Sequence, residues 1–221
     1  MSGTGSGDLA ATLADGVRLM GLGLSDSTQA QLLDFAALLL KWNRVYNLTA
    51  VRDPKEVITH HILDSLSLLP PLMRHTQGLP TRVLDVGSGG GLPGVVLAIC
   101  RPELDVTCVD AVAKKAAFIQ QVAGTLALPK LHGLHARVET LAATWPVITS
   151  RAFASLADFT AWSKPALAPG GRWLAMKGKH PTQELAELPP GVRVFHVEPL
   201  SVPGLDAQRC LVWMGCSDQA P

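Results

Sequence analysis

Charge of one sign is what this sequence lacks most: 19 Lys and Arg against 18 Asp and Glu leave a formal net charge of +1 over 221 residues. Bulk charge therefore cannot draw in a polyanion, and any such partner has to meet a local basic patch. The four cysteines, Cys100, Cys108, Cys210 and Cys216, form no C-x-x-C pair. That argues against zinc and dithiol frameworks and for reduced thiols packed in apolar runs. Long apolar runs are missing as well. The longest, 35–40 and 95–100, are far too short to span a bilayer, and residues 1–8 are small and polar with no apolar signal region. The expectation is a soluble, cytoplasmic chain with no membrane association. In that setting Asn47-Leu48-Thr49 matches a glycosylation sequon only by chance.

What is present suits one folded domain with a small extension. Hydrophobic residues make up 48% and charged residues 17%, enough for a core that needs no disulfide or metal staple. Leu9, Leu13, Val17 and Met20 recur at helical spacing after a flexible start, and Gly21 to Gly23 end that helix. Ser25 is an N-cap for a second helix reaching about Asn43, with Leu32, Phe35, Ala36 and Leu39 on one side. Asp53-Pro54-Lys55-Glu56 opens a third, and Pro70-Pro71 forbids its continuation. From Thr81 onward the pattern changes to alternating strand and helix. Strands are expected at 82–86, 105–109, 135–138, 147–153, 172–176, 192–197 and 208–214, with helices at 112–126, 155–167 and 181–187. This predicts an α/β fold: residues 1–78 as a helical extension, and 79–221 as a Rossmann-like domain with a mostly parallel, seven-stranded sheet. Ligands in such sheets sit at the carboxyl ends of the first strands.

The central motif is Asp85-Val86-Gly87-Ser88-Gly89-Gly90-Gly91-Leu92-Pro93-Gly94, between a strand and a helix. Gly89, Gly91 and Gly94 match G-x-G-x-x-G, a dinucleotide signature. Asp85 argues otherwise, because a carboxylate at the strand end repels a pyrophosphate and attracts a cationic amino-acid ligand. S-adenosylmethionine carries an ammonium and a sulfonium and no phosphate, so it is the expected cofactor, bound by Asp85, Gly87, Gly89 and Gly91. Asp110, nineteen residues after Gly91, is placed to accept the two ribose hydroxyls or to cap the next helix. Arg137-Val138-Glu139 ends the expected third strand, beside an adenine edge or in solvent.

Further blocks carry a resemblance. Trp42-Asn43, Tyr46-Asn47-Leu48-Thr49-Ala50, Arg52-Asp53, His61, Asp64-Ser65-Leu66, the glycine loop, Arg137-Val138-Glu139, Ser150-Arg151-Ala152-Phe153-Ala154 and Lys177-Gly178 together resemble the RsmG/GidB family. That family has the class I methyltransferase fold and methylates N7 of one guanine in bacterial 16S ribosomal RNA. The resemblance runs from about Leu33 to Lys179 and implies cofactor contacts from Gly87, Leu92, Val138, Glu139 and Arg151. Its partner would be 16S rRNA in the small ribosomal subunit or its precursor.

Asn43, Asn47, His61 and Asp64 are the substrate-side candidates. His61 and Asp64 serve either as a wall of that site or as a helix–sheet hydrogen bond. His60 and Asp64 have the i,i+4 spacing of a metal pair, but no third ligand is evident, and no metal is expected. Lys41, Arg44, Arg52, Lys55, Lys114, Lys115, Lys177 and Lys179 either meet phosphates or simply solvate helix surfaces. Guanine N7 already presents its lone pair, so the resemblance implies catalysis by positioning, worth about 7–11 kcal/mol for near-attack geometry, with no catalytic base. A methyltransferase for a small molecule or protein, a nicotinamide oxidoreductase and a non-enzymatic nucleotide-binding module are the alternatives.

Overall fold

In the computed structural model, residues 4–217 are described. Helices come first: α1 (Thr4–Leu19), α2 (Asp26–Tyr46), a turn α3 (Pro54–Glu56), a π-helical run (Val57–Leu63), a turn α4 (Asp64–Leu66) and α5 (Leu69–Thr76). Their starts follow from local chemistry. The Ser25 hydroxyl accepts from Thr28 N–H, and Asp53 Oδ1 accepts from Lys55 and Glu56 N–H, satisfying amides that a helix leaves unpaired. The Pro70-Pro71 pair acts in two senses: α4 stops before it, and α5 starts on it, where missing or unpaired N–H groups are tolerated. A new helix therefore follows where only a stop was expected. The first helix also begins earlier than expected, at Thr4.

Seven strands make one sheet in the order β3-β2-β1-β4-β5-β7-β6. They are β1 (Arg82–Val86), β2 (Asp105–Asp110), β3 (Leu131–His135), β4 (Trp145–Arg151), β5 (Leu167–Lys177), β6 (Val192–Leu200) and β7 (Arg209–Cys216). Only β7 runs antiparallel to its neighbours; the other pairings, β1 with β2 and β4, β2 with β3 and β4 with β5, are parallel. The strand order reverses between β1 and β4, which opens a crevice at their carboxyl ends. Helices α6 (Gly94–Cys100), α7 (Ala113–Thr125), α8 (Leu156–Ser163) and α9 (Thr182–Ala186) complete the chain.

Alternation along the strands sorts side chains between two cores. Val83, Leu174, Met176, Leu211 and Trp213 join the core built with α1, α2, α5, α6 and α7, whereas Leu84, Val86, Trp173, Ala175 and Val212 join the core under α8. Position 85 falls on the first of these faces. The third strand lies four residues earlier than expected, and Val138–Thr140 forms a 3₁₀ turn. Its sequence, Leu-His-Gly-Leu-His, is half exposed at the sheet edge and shows little apolar alternation. All four cysteines are free thiols, Cys108 and Cys210 buried and Cys100 and Cys216 half-buried. Among the described residues, no helix is long and apolar enough to cross a membrane.

Candidate cofactor and substrate chambers

The glycine loop after β1 is closed by its own backbone and by the end of β2. Gly87 N–H donates to the Val109 carbonyl at 2.9 Å, Gly91 N–H to Ser88 at 2.8 Å, and Gly89 N–H to Asp110 Oδ2 at 3.0 Å. Gly87 has φ +65°, and a Cβ there would lie 2.1 Å from the Phe153 ring. Two features, backbone handedness and close approach, thus require glycine at this point.

Beside the loop lies a cavity of about 380 Å³ walled by Gly87, Asp110, Arg137, Val138, Glu139 and Phe153, with Trp162 at its edge. That volume suits a nucleoside-sized ligand. Asp110 is almost fully buried; Oδ1 accepts from Val112 N–H at 2.9 Å, Oδ2 from Gly89, and Lys115 Nζ stands 3.6 Å away. A carboxylate has about four acceptor positions, so this one keeps acceptors for a diol.

Asp85 lies under the loop rather than in the cavity wall. It is 0% exposed; Oδ2 accepts from Gly94 N–H at 2.8 Å, and Oδ1 has no partner among the described residues. Burial pushes its carboxyl up to about 7, opposed by the Gly94 N–H and the charge of Arg151. An orphaned carboxylate oxygen in a desolvated place fits a cationic ligand group.

A second chamber, about 420 Å³, adjoins the first at Ala152, which lines both and has φ +52°. Its frame is one buried carboxylate, Asp64. Arg151 Nη1 donates to Oδ2 at 2.8 Å and Arg209 Nε donates to Oδ1 at 2.9 Å, so both oxygens are engaged. Arg151 Nη1 also donates to the His60 carbonyl at 2.9 Å. Burial, and secondarily the Arg151 charge, lower His61 to about 4, leaving a neutral ring near pH 7. The Thr49 hydroxyl accepts from Val51 N–H and pairs with His61 Nε2, 2.6 Å away, while His61 Nδ1 stands 3.0 Å from the His60 carbonyl. Lys177 Nζ holds the Ala154 carbonyl and Glu184 Oε2, and Glu184 in turn accepts from Leu156 N–H; α9 thereby fixes the loop between the chambers.

The family model for rRNA small subunit methyltransferase G, GidB, matches residues 28–212. The chain belongs to this family. The protein called Ribosomal RNA small subunit methyltransferase G in Acidovorax ebreus (strain TPSY) is 64% identical over 222 residues, covering 97% of this chain and 98% of its own. Its namesake in Acidovorax sp. (strain JS42) is 65% identical over 210 residues, covering 91% and 93%. Solved structures share the fold. TrmN from Thermus thermophilus has TM-score 0.55 at 20% identity, covering 72% of this chain and 53% of that one. The glycopeptide N-methyltransferase MtfA complexed with sinefungin has TM-score 0.58 at 13% identity, covering 71% and 87%. The class I methyltransferase fold expected from the sequence is the fold observed.

Within this GidB-family chain, Gly87, Asp110, Val138 and Glu139 meet at the first chamber, and His61, Asp64 and Arg151 meet at the second. Asp85, Gly89, Gly91 and Leu92 line neither: Gly89 and Gly91 shape the loop, and Leu92 packs in the core. Asn43 brackets the 47–52 loop, its Oδ1 accepting from Thr49 N–H and its Nδ2 donating to the Val51 carbonyl. It borders a separate cavity with Arg44 and Arg52. Asn47 is exposed, at φ +50° on the α2 C-cap. Asp110 meets the Val112 and Gly89 amides, so a structural duty accompanies any ligand duty. Among the described residues, no three metal-ligating side chains come together. Arg209, Phe153 and Trp162 escaped sequence reasoning as individual site residues; Arg209 lies 145 residues from Asp64, and no local pattern marks it.

Proposed function

We propose that this chain is an S-adenosylmethionine-dependent methyltransferase that methylates N7 of one guanine in 16S rRNA, in the cytoplasm, within the small ribosomal subunit or its precursor. Bound in the first chamber, the cofactor supplies a methyl group on a sulfonium sulfur. Asp85 Oδ1, Gly87, Asp110, Val138 and Glu139 bind it, with Gly89, Gly91 and Leu92 holding the loop in shape. Arg151, assigned to the cofactor from the resemblance, serves instead as a post between the chambers, since its guanidinium is committed to Asp64 and His60. Residues 1–78 supply the substrate-side layer and 79–221 the cofactor-binding sheet.

One observation favours N7 as acceptor: Asp64 and His61, the substrate-side candidates that line the second chamber, are both committed to partners within the protein. Asp64 is paired at both oxygens, both ring nitrogens of His61 have protein partners, Thr49 Oγ1 at Nε2 and the His60 carbonyl at Nδ1, and His60, which also borders the chamber, turns its Nδ1 to the Glu56 carbonyl. An exocyclic amine or a hydroxyl has to shed a proton during methylation, and a base within reach assists it. Guanine N7 sheds none, so orientation by the chamber walls suffices. The test uses small-subunit particles and rRNA from a strain lacking the enzyme, with labelled cofactor and borohydride–aniline cleavage at N7-methylguanine. Cleavage at a single guanine supports the reading; label on adenine, on protein or nowhere overturns it.

A further inference from the structure

The second chamber carries more positive charge than holding Asp64 requires. Arg151, Arg209 and Lys177 border it, while the carboxylates engaged are Asp64 and Glu184. One cationic charge is left over in a recess where salt screens weakly. Its location follows from the hydrogen bonds. Arg151 Nη1 is spent on Asp64 and His60, and its Nη2 stands 3.3 Å from His61 Nδ1. Lys177 is spent on Ala154 and Glu184. Arg209 uses Nε on Asp64 and Nη1 on the Gln208 carbonyl, and no described partner takes Nη2, which keeps two N–H donors. Val51, Ala152 and Met176 also line the chamber and offer an apolar wall to a flat ring.

We propose that Arg209 binds a phosphodiester flanking the target guanosine and so seats the purine against that apolar wall. This rests on the rRNA reading above and deepens it. The guanine base itself is the poorer partner for Arg209, because methylation at N7 gives the purine a positive charge that an adjacent cation opposes. A phosphodiester keeps its single negative charge from ground state to product. Its contact therefore supports binding equally throughout and belongs in KM rather than kcat. Arg209 is a positioning residue in this account, and Asp64 aims it by holding Nε.

The experiment measures methyl transfer to small-subunit rRNA by the full chain, as Arg209→Gln and Arg209→Lys, over roughly 50–200 mM salt. Arg209→Gln should raise KM about tenfold with kcat within about twofold. Its plot of log(kcat/KM) against log[salt] should be shallower by about 0.7–0.9, the loss of one phosphate contact. Arg209→Lys keeps a cation beside Asp64 and should retain the wild-type slope. Unchanged affinity for S-adenosylhomocysteine certifies the fold. Should Arg209→Gln lose that affinity, wild-type enzyme on rRNA with neutral methylphosphonates flanking the target guanosine reads the same contact from the other side. KM should again rise and the slope fall. An unchanged slope in folded Arg209→Gln, a loss of kcat with KM intact, or indifference to the neutral linkages overturns the proposal while leaving the functional reading in place. Wild-type enzyme that labels no rRNA overturns both.

Discussion

Acidification should weaken cofactor binding through Asp85, and the size of the effect follows from its burial. In the free protein the carboxyl sits at about 7, raised chiefly by desolvation and partly by Asp110, and lowered by the Gly94 N–H and Arg151. The neighbouring Cys108 thiol is pushed well above its ordinary value by burial and by Asp85, so it stays protonated and does not compete in the titration. An ammonium group seated at Oδ1 requires the ionised carboxylate, and below pH 7 the ligand has to expel a proton to bind. Affinity for S-adenosylhomocysteine should then fall about 25-fold from pH 7.5 to 5.5, roughly 2 kcal/mol. Calorimetry in two buffers of different ionisation enthalpy reads this twice, as affinity and as released protons. Nearly one proton should leave per ligand at pH 5.5 and about half at pH 7, and Asp85→Asn should flatten both profiles. Constant affinity with no proton released at pH 5.5 would refute the pairing of Asp85 with a cation.

Three other outcomes follow from the same geometry. Asp110→Ala should cost about 1.5–3 kcal/mol of cofactor affinity and also lower the melting temperature of the free protein, because the Gly89 and Val112 amides lose their acceptor; calorimetry and a thermal melt separate these effects, and an unchanged melt would refute the structural half. Gly87→Ala should destabilise the protein and block S-adenosylhomocysteine, since its Cβ meets Phe153, whereas Gly89→Ala, with nothing nearer than 3.9 Å, should cost only its left-handed backbone; equal effects would contradict the loop geometry. His61, lowered to about 4, contributes stability that is present above its unfolded value of 6.5 and is lost as the pH falls toward 4, about 3 kcal/mol in all, while Asp85, raised from 3.8 to about 7, gains stability over nearly the same descent. Urea titrations of Asp85→Asn should therefore expose a loss of about 3 kcal/mol between pH 7 and 4 that the wild type largely hides, and a level profile in that variant would count against a buried, neutral His61.

Legibility in the sequence followed the range of the interactions. Ser25 and Asp53 cap the helices they precede, and the run from Asp85 to Gly94 reads as strand, turn and helix, because each depends on residues within one or two turns. The third strand did not, since an edge strand with two histidines and a central glycine has little apolar alternation to detect. The mate of Arg151 lies 87 residues upstream and that of Arg209 lies 145 residues upstream, both Asp64, and only the folded sheet brings them together. The π-helical run around His61 was equally hidden. Its residues carry an ordinary apolar pattern, and the widened turn alters which side chains share a face. Asp85 shows another limit: its residue type marks the strand end, but the period of two sends its side chain beneath the loop instead of into the cavity.

Gly90 has a bearing on how such an enzyme can change. A Cβ at that position would lie 2.8 Å from the Leu39 side chain, so α2 rests directly on the glycine loop. Phe35 and Trp42 of the same helix face the Phe118 ring of α7, at centroid distances of 6.5 and 5.4 Å. The helical layer that brings His61 and Asp64 to the second chamber is thus bolted to the sheet layer beside the first, with packed hydrocarbon where a hinge would otherwise be. Such a body fixes the spacing of the two chambers by volume. A substitution of Leu39 or Phe35, which line neither chamber, should alter turnover by moving one chamber against the other, and a new specificity has to arise by recarving walls, since α2 cannot be exchanged without the glycine loop losing its support.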